Sequence, residues 1–333
     1  MPIQIMCWNM ERITANNCTG KVKSMVEAIG KTAKGNQPWA LAVLECKDNG
    51  MAVATQLQHS LHGAGIEIIE ANGKGSTKEN VVLIYGGGCT FQGGAAHQEW
   101  HGAFTEKMQA ETANFVNLQF AAASSPNARA LRERQADGYG RDATMLKAMD
   151  GQWKAENCRD PVLVKLSADG EAFSIAFVHS PGPGAKAQMS EAISYAKTYF
   201  KCITKSLADA GAEVVMGDFN IYGSDDIQTH QDWSLKEVAD AVAGPGTTFK
   251  ITGDRSSSQL DRVFMHSKYV FGSKVTLMDA KVDASDHLGL YANIATDVAS
   301  NGQWPAAAAA AAAAGAPASQ AAAPAEAAVG MEE

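Results

Sequence analysis

Ionisable and amide side chains stand at the ends of several short apolar runs in this sequence, and such runs are typical of buried β-strands. These residues are Asn9, Glu45, His179, Asp218 and Asn220, with Asp261, Asp286 and His287 beside two later apolar runs. Carboxylates and amides are suited to binding divalent cations, and imidazoles to transferring protons. The pattern predicts a functional site whose ionisable groups are paired with one another or bind a metal.

Each of these residues, taken alone, has an ordinary structural explanation. A strand-end Asp or Asn is usually a turn former, and a single His is usually a hydrogen-bonded core or surface residue. Taken together they are harder to explain, because ionisable groups at buried strand ends cost free energy unless they are paired or bind a metal. We therefore expect them to meet at one edge of a sheet, where α/β proteins place their sites.

The elements that must position these side chains are short apolar strands separated by amphipathic helical stretches. Val22, Met25, Val26 and Ile29, for example, recur at helical spacing. Nine strands are predicted: Ile3 to Asn9, Leu41 to Glu45, Ile66 to Glu70, Val81 to Tyr85, Val162 to Leu166, Phe173 to His179, Val214 to Asp218, Asp261 to Met265 and Leu290 to Ile294. The alternation predicts an α/β layered domain.

Composition and charge narrow the function classes. The chain of 333 residues has a net charge of -8, which argues against coating nucleic acid by charge alone but not against meeting it at one local site. No apolar run is long enough to cross a bilayer, and the N-terminus has no basic leader or cleavage site. We expect a cytoplasmic protein, or one exported without a cleavable signal peptide. The six cysteines show no zinc-like spacing, which favours reduced structural thiols.

Two segments differ from the rest of the chain. Residues 86–157 open with glycines and then carry four arginines, so we interpret them as an insertion within a catalytic domain of residues 1–304. The arginines either meet substrate phosphates or belong to a solvated helical excursion. Residues 305–333 are rich in alanine and have too little bulky apolar surface to build a core, which predicts a flexible tail.

The order of the motifs resembles the endonuclease/exonuclease/phosphatase superfamily and, within it, deoxyribonuclease I most closely. The matching motifs are Trp8-Asn9, Glu45, His179, Gly217 to Asn220, Leu260 to Arg262 and Ser285 to His287. Thr77 to Tyr85, Cys158 to Leu166 and Phe177 to Gly184 are also similar to deoxyribonuclease I segments. The resemblance spans residues 3 to 295 and implies a four-layer sandwich of two packed mixed β-sheets flanked by helices.

The resemblance also implies which residues hold a metal and the substrate phosphate. Mg²⁺ is the expected cofactor, with Mn²⁺ or Ca²⁺ as alternatives, and its expected ligands are Asn9, Glu45, Asp218 and Asp286. Asp218 and Asn220 would orient the phosphate and the attacking water, and Arg159 would bind a phosphate through its planar guanidinium. Thr77 and Lys47 replace a tyrosine and an arginine that enter the DNA minor groove in deoxyribonuclease I, and Leu44 replaces a glutamine common in the family.

Proton transfer is assigned by the same resemblance to two histidine–carboxylate pairs. His287 would be the general base, held by Asp261, and His179 would be the general acid, held by Glu79. A carboxylate partner fixes the tautomer of an imidazole and raises its pKa, as in hydrolytic triads.

These assignments predict a metal-dependent phosphodiesterase, a monomeric DNA endonuclease whose partner is its nucleic-acid substrate. One alternative is a lipid or inositol head-group phosphoesterase, either sphingomyelinase-like or a phosphatase. The stretch Ser258 to Arg262 reads SQLDR where inositol polyphosphate phosphatases carry a PAWCDR-type motif, which disfavours that branch. The other alternative is an inactive binding module, but such a module would lack a metal ligand or a histidine, and none is missing.

Overall fold

The computed structural model describes residues 2–33, 36–47, 50–71, 79–110, 155, 158–181, 190–220, 235–237, 260–266, 269, 273–278 and 285–294. Thr77, the four arginines of the predicted insertion and the alanine-rich segment lie outside the described residues. None of the helices in the described ranges has the length and apolarity that a membrane span requires.

The first sheet has six strands, and two of them are neighbouring parallel strands. Its members are β1 (Ile3–Ile13), β2 (Trp39–Cys46), β3 (Gly65–Glu70), β4 (Asn80–Gly86), β11 (Lys274–Leu277) and β12 (Leu290–Ile294). The strand order is β11-β12-β1-β2-β4-β3. Strands β1 and β2 are parallel, while the other neighbours are antiparallel, so this is a mixed sheet.

The second sheet repeats this arrangement with its own central parallel pair. Its members are β5 (Thr90–Ala96), β6 (Val162–Ala168), β7 (Glu171–His179), β8 (Val214–Asp218), β9 (Leu235–Glu237) and β10 (Asp261–His266). The strand order is β5-β6-β7-β8-β10-β9. Strands β7 and β8 are parallel, and the remaining neighbours are antiparallel.

Helices cover the outer face of each sheet. They are α1 (Cys18–Thr32), α2 (Met51–Ser60), α3 (residues 101–110) and α4 (Ser190–Asp209). On the first sheet, Met25 of α1 and Leu57 of α2 pack with Leu41 and Val43 of β2. On the second sheet, residues from α3 and α4 pack with alternate residues of β7 and β8.

The largest hydrophobic core lies between the two sheets. Ile5 and Leu44 from the first sheet belong to the same buried cluster as Phe177 and Met216 from the second. Along each central strand, one set of alternate residues faces this inner core and the other set faces the helices, as the two-residue period of a strand requires. The predicted four-layer sandwich of two mixed sheets flanked by helices is therefore confirmed.

All nine predicted strands are present, and the described residues contain three further strands that are not evident in the sequence. Strand β5 contains Gly93 and Gly94, which weaken a strand pattern, and it lies within the stretch interpreted as an insertion. Strands β9 and β11 are only three and four residues long. Each of the three joins its sheet by antiparallel pairing with the next strand along the chain. Because β5 pairs with β6, the first part of the predicted insertion belongs to the second sheet.

Candidate active site

The ends of the central strands bring four of the predicted site residues to one edge of the sandwich. His179 at the end of β7 pairs in register with Asp218 at the end of β8, and Asp218 pairs in register with Asp261 at the start of β10. Asn9 in β1 lies opposite, on the first sheet, and its Nδ2 donates a hydrogen bond to Asp218 Oδ2 at 3.1 Å. This contact joins the two sheets at the site.

The segment GDFN, Gly217 to Asn220, continues the alternation of β8, so that Asp218 and Phe219 point to opposite faces of the sheet. Val214 and Met216 face the inner core, so Asp218 faces the same way, whereas Phe219 turns to the helix side and packs its ring against Phe200 and Phe264, each with centroids 5.2 Å away. The aromatic residue between Asp218 and Asn220 is thus an anchor.

Glycine is required at the first position of this segment. Gly217 has φ +141°, and a Cβ added there would lie 2.0 Å from the carbonyl oxygen of Val178. Such a separation is far below van der Waals contact, so only glycine permits this approach of β8 to β7. Asn220 also has a positive φ, +50°, and its backbone N–H donates to Asp218 Oδ1 at 2.9 Å.

Glu45 reaches the site through an irregularity in β2. Leu44 faces the inner core, so strict alternation would turn Glu45 toward the helices. Instead the pairing of β2 with β4 shifts register between Val43 and Cys46, and Glu45 adopts φ +58°. Bulges of this kind commonly re-aim a side chain beside an active site.

The re-aimed carboxylate of Glu45 is kept ionised. Its Oε2 accepts a hydrogen bond from the backbone N–H of Arg12 at 2.8 Å, and its Oε1 lies 3.2 Å from His179 Nε2. Burial alone would raise the pKa of Glu45, but the imidazole of His179, the Arg12 N–H and the guanidinium of Arg159 together lower it.

Glu79 contacts His179 and two positively charged side chains, Arg159 and Lys47. Its Oε1 lies 2.6 Å from His179 Nδ1 and 2.8 Å from Arg159 Nε, and its Oε2 lies 3.5 Å from Lys47 Nζ. The Arg159 contact is an ion pair without hydrogen-bond geometry, since the Nε–H does not point at the oxygen. Burial would raise the pKa of Glu79, but His179, Arg159 and Lys47 lower it.

His287 forms the second imidazole–carboxylate pair. Its Nδ1 lies 2.8 Å from Asp261 Oδ2, and its Nε2 lies 3.6 Å from Asp218 Oδ2 and 3.9 Å from Asp286 Oδ1. Burial alone would lower the pKa of His287, but Asp261 above all, and then Asp218 and Asp286, raise it to about 10. Without a bound cation, His287 is therefore an imidazolium at neutral pH.

Asp218 stands between the two histidines. Its Oδ2 is 3.6 Å from His179 Nε2 and 3.6 Å from His287 Nε2. Its pKa is raised because the carboxyl is buried and lies near Asp261, although the two imidazoles oppose that shift. Asn220 Nδ2 donates to the same Oδ2 at 3.0 Å and to the carbonyl of Ser180 at 2.9 Å.

The predicted metal ligands supply the hard oxygen atoms that Mg²⁺ prefers. The side chains of Glu45 and Asp286 retain 17% and 31% of their exposed area, so their oxygens can be reached from solvent. Asp218, Asp261 and His287 also offer ligand atoms within 4.8 Å of one another. Because His287 and Asp261 are already hydrogen-bonded, that proximity does not by itself identify a metal site.

The structure thus brings together all ten predicted site residues, which are Asn9, Glu45, Glu79, Arg159, His179, Asp218, Asn220, Asp261, Asp286 and His287. Sequence reasoning did not assign the supporting role of Ser285, whose Oγ donates to the carbonyl of Asn9 at 2.7 Å and accepts from the N–H of His287 at 3.1 Å. It also did not identify Lys21, whose ammonium binds backbone carbonyls of β1. Lys21 lies in a helix, and no motif marks it.

Comparisons with known proteins support the architecture. No protein-family model and no curated protein matches the sequence. Among solved structures, TDP2 from D. rerio complexed with a single-strand DNA product aligns with a TM-score of 0.53 at 11% identity, covering 89% of this chain and 99% of that one. TDP2 from C. elegans gives a TM-score of 0.52 at 12% identity over 88% of this chain and 75% of that one.

A bacterial structure gives the same result. An endonuclease/exonuclease/phosphatase protein from Bacteroides vulgatus aligns with a TM-score of 0.51 at 13% identity, over 89% of this chain and 99% of that one. Likeness at such low identity establishes architecture rather than activity. The chain has the deoxyribonuclease I-like fold of the endonuclease/exonuclease/phosphatase proteins.

Proposed function

We propose that this protein is a metal-dependent phosphodiesterase and that it acts on DNA as an endonuclease. One observation carries the proposal. Two imidazoles present Nε2 to the same oxygen of Asp218 at 3.6 Å, while a buried carboxylate holds each Nδ1. Two oriented imidazoles can accept a proton from an attacking water and donate one to a departing alkoxide, which are the two transfers that phosphodiester hydrolysis requires.

The cation would be held by the carboxylates and amide already described: Asn9, Glu45, Asp218 and Asp286. When bound, it would offset carboxylate charge and stabilise the negative charge that develops on the phosphate oxygens. Glu45 is suited to this position because its lowered pKa keeps it anionic.

His287 would act as the general base, and Asp261 would hold its ring. Asp261 above all, and then Asp218 and Asp286, raise the pKa of His287 to about 10, which blocks this role in the cation-free protein. A bound cation would offset the charge of Asp218 and Asp286 and so lower the pKa of His287, whose Nε2 would then be able to accept a proton from water. His179, held by Glu79 at 2.6 Å, would donate a proton to the leaving oxygen.

Substrate phosphate would be bound by Arg159 and Asn220. Arg159 Nε lies 2.8 Å from Glu79 Oε1, which keeps the positive charge of Arg159 beside His179, the proposed general acid. Asn220 Nδ2 already donates to Asp218 Oδ2 and to the carbonyl of Ser180, so it would exchange one of these hydrogen bonds for a phosphate oxygen when the substrate binds. Support for DNA as the substrate comes from the D. rerio TDP2 structure, which holds a single-strand DNA product.

The proposal is tested by incubating the purified full chain with supercoiled plasmid and Mg²⁺. We expect nicking that EDTA abolishes and that falls at least about 100-fold in His287→Ala and in His179→Ala, a typical contribution of one acid–base group. His59→Ala is the matched control, because His59 is exposed on α2 and hydrogen-bonds only within its own helix.

Two outcomes would contradict the proposal. The first is plasmid cleavage by His287→Ala at the wild-type rate, with thermal melting curves showing both proteins folded. The second is turnover of sphingomyelin vesicles or an inositol polyphosphate while the plasmid stays intact, which would place the same chemistry on a lipid or inositol head group.

A further inference from the structure

Lys21 links helix α1 to the end of strand β1. It lies in the first turn of α1, and its ammonium donates hydrogen bonds to the carbonyl of Met10 and, at 2.8 Å, to the carbonyl of Glu11. The carboxylates whose charge acts on this ammonium are Glu11, Asp286 and Glu45. Lys21 therefore contacts the backbone of β1 and lies within electrostatic range of Glu45 and Asp286.

The backbone that Lys21 contacts has an unfavourable conformation. Glu11 and Arg12 are consecutive non-glycine residues with φ +45° and +50°. The pairing of β1 with β2 shifts register here, between Asn9 and Ile13. Left-handed residues of this kind persist only where surrounding contacts hold them, and the two hydrogen bonds from Lys21 are such contacts.

The turn at Glu11–Arg12 directs two backbone N–H groups at two of the proposed cation ligands. The N–H of Glu11 donates to Asn9 Oδ1 at 3.0 Å, and the N–H of Arg12 donates to Glu45 Oε2 at 2.8 Å. The orientation of both ligand side chains thus depends on the conformation of this turn.

We propose that Lys21 is a positioning residue that holds the Glu11–Arg12 turn and thereby orients Asn9 and Glu45 for cation binding. The inference rests on the proposed function only in that these two side chains bind the cation. Positioning and charge have opposite effects here. Removing a positive charge near Glu45 and Asp286 would by itself strengthen cation binding, whereas loss of the turn would weaken it.

The first test is a calorimetric titration of Mn²⁺ into the substrate-free full chain. We expect Lys21→Met to weaken Mn²⁺ binding about tenfold, the scale typical of residues that support metal ligands. Lys21→Arg retains a cation with several donors and should stay within about threefold of wild type. Lys23→Met is the matched control, because Lys23 is exposed on the same helix.

Binding by Lys21→Met that equals or exceeds that of the wild type would overturn the proposal. An equal loss of Mn²⁺ affinity in Lys21→Arg and Lys21→Met would also overturn it, because a positively charged side chain at position 21 would then not be what holds the turn. Melting temperatures of all variants in EDTA confirm that each protein is folded.

A second measurement decides the matter without a metal. Hydrogen exchange followed by mass spectrometry on peptides spanning residues 9–14, in EDTA, should show faster exchange in Lys21→Met than in wild type and no change in Lys23→Met. Unchanged exchange in Lys21→Met would mean that Lys21 does not hold the turn. If the wild type binds no Mn²⁺, the proposed function fails, while the exchange experiment still tests Lys21.

Discussion

The buried charges of the site compensate one another. Glu79, His179, Asp218, Asp261 and His287 are all buried, and isolated charges in such positions would be costly. Each imidazole instead lies between carboxylates, so removing one partner leaves an uncompensated charge. Stability and proton affinity are therefore coupled at these residues.

The stability of the cation-free protein should depend on the charge of His287. Its pKa is about 10 in the folded protein, because Asp261, Asp218 and Asp286 outweigh the lowering effect of burial, while an unfolded histidine titrates near about 6.5. The folded state thus binds the proton more tightly. This contribution is fully present below about pH 6.5 and is lost as the pH rises through about 10.

Urea unfolding in EDTA between pH 7 and pH 10 measures this effect. We expect the free energy of unfolding to fall by more than about 1 kcal/mol over that interval, since one pKa unit corresponds to about 1.4 kcal/mol. The variant His287→Gln should show a shallower decline. An identical pH slope in the two proteins would contradict the assignment.

Gly217 should tolerate no side chain. Gly217→Ala places a Cβ against the carbonyl of Val178, at 2.0 Å before relaxation, so we expect a loss of about 3 kcal/mol or more in the free energy of unfolding. Gly63→Ala is the control that separates backbone strain from steric overlap, because Gly63 also has a positive φ, +82°, but has open space where a Cβ would lie. This substitution should lower the free energy of unfolding by only about 1 kcal/mol. Equal losses measured by urea unfolding would show that the close approach is unimportant.

At the scale of elements, alternation along the strands determines which polar residues enter the site. Ile5 and Cys7, Ile175 and Phe177, Val214 and Met216, and Val263 and Met265 all face the inner core. Each series continues two positions further to a site residue: Asn9 follows Cys7, His179 follows Phe177, Asp218 follows Met216, and Asp261 precedes Val263. They therefore face the same side. The parallel pairing of β7 with β8 sets His179 beside Asp218, the antiparallel pairing of β10 with β8 adds Asp261, and Asn9 meets Asp218 across the inner core.

Phe219 links this edge to the helix layer, and its removal should affect stability and activity together. Phe219→Ala loses the ring contacts to Phe200 and Phe264, which we expect to cost about 3–5 kcal/mol. Because the neighbouring residues are Asp218 and Asn220, the hydrolytic rate per folded molecule should also fall. If the alanine variant does not fold, Phe219→Leu provides a milder version of the same change.

The matched control for Phe219 is Phe173→Ala. Phe173 lies near the start of β7, the end remote from His179, and its ring contacts Tyr269. This variant should lose comparable stability while keeping its hydrolytic rate per folded molecule. Urea unfolding and plasmid nicking measure the two quantities, and an equal loss of activity in both variants would contradict the anchoring role of Phe219.

At the scale of the whole molecule, the site exists only where the two sheets meet. Asn9 and Glu45 come from the first sheet, whereas His179, Asp218 and Asp261 come from the second. The inner core holds the sheets together along their length. Changes in inter-sheet packing should therefore alter the hydrogen bond between Asn9 and Asp218 even without touching either residue.

The alanine-rich segment should be dispensable for both folding and catalysis. A chain ending at Trp304 removes residues 305–333, whose composition provides almost no bulky apolar surface. We expect its melting temperature to stay within about 2 °C of the full chain, which corresponds to less than about 1 kcal/mol, and its nicking rate to be unchanged. A large fall in either quantity would show that the segment contributes to the catalytic domain.

The sequence by itself determined nine of the strands that the structure describes, the α/β layering and the polar residues at the strand ends, whereas the resemblance of its motifs to a known family implied the four-layer sandwich and the further site residues Glu79 and Arg159. Apolar alternation and strand-end polar residues are local properties, so they can be seen without a structure. The fold prediction is confirmed, and the predicted residues lie together. Their chemical roles stay predictions, which the experiments above address.

Only the tertiary structure decided how Glu45 enters the site and what supports it. Alternation directs Glu45 away from the inner core, and a register shift with a left-handed residue reverses that direction. The contacts of Glu79 with Arg159 and Lys47, the hydrogen bonds of Lys21 to β1 and the addition of β5 to the second sheet likewise join distant parts of the chain. Such contacts depend on pairing register and packing between remote segments, and no local pattern encodes them.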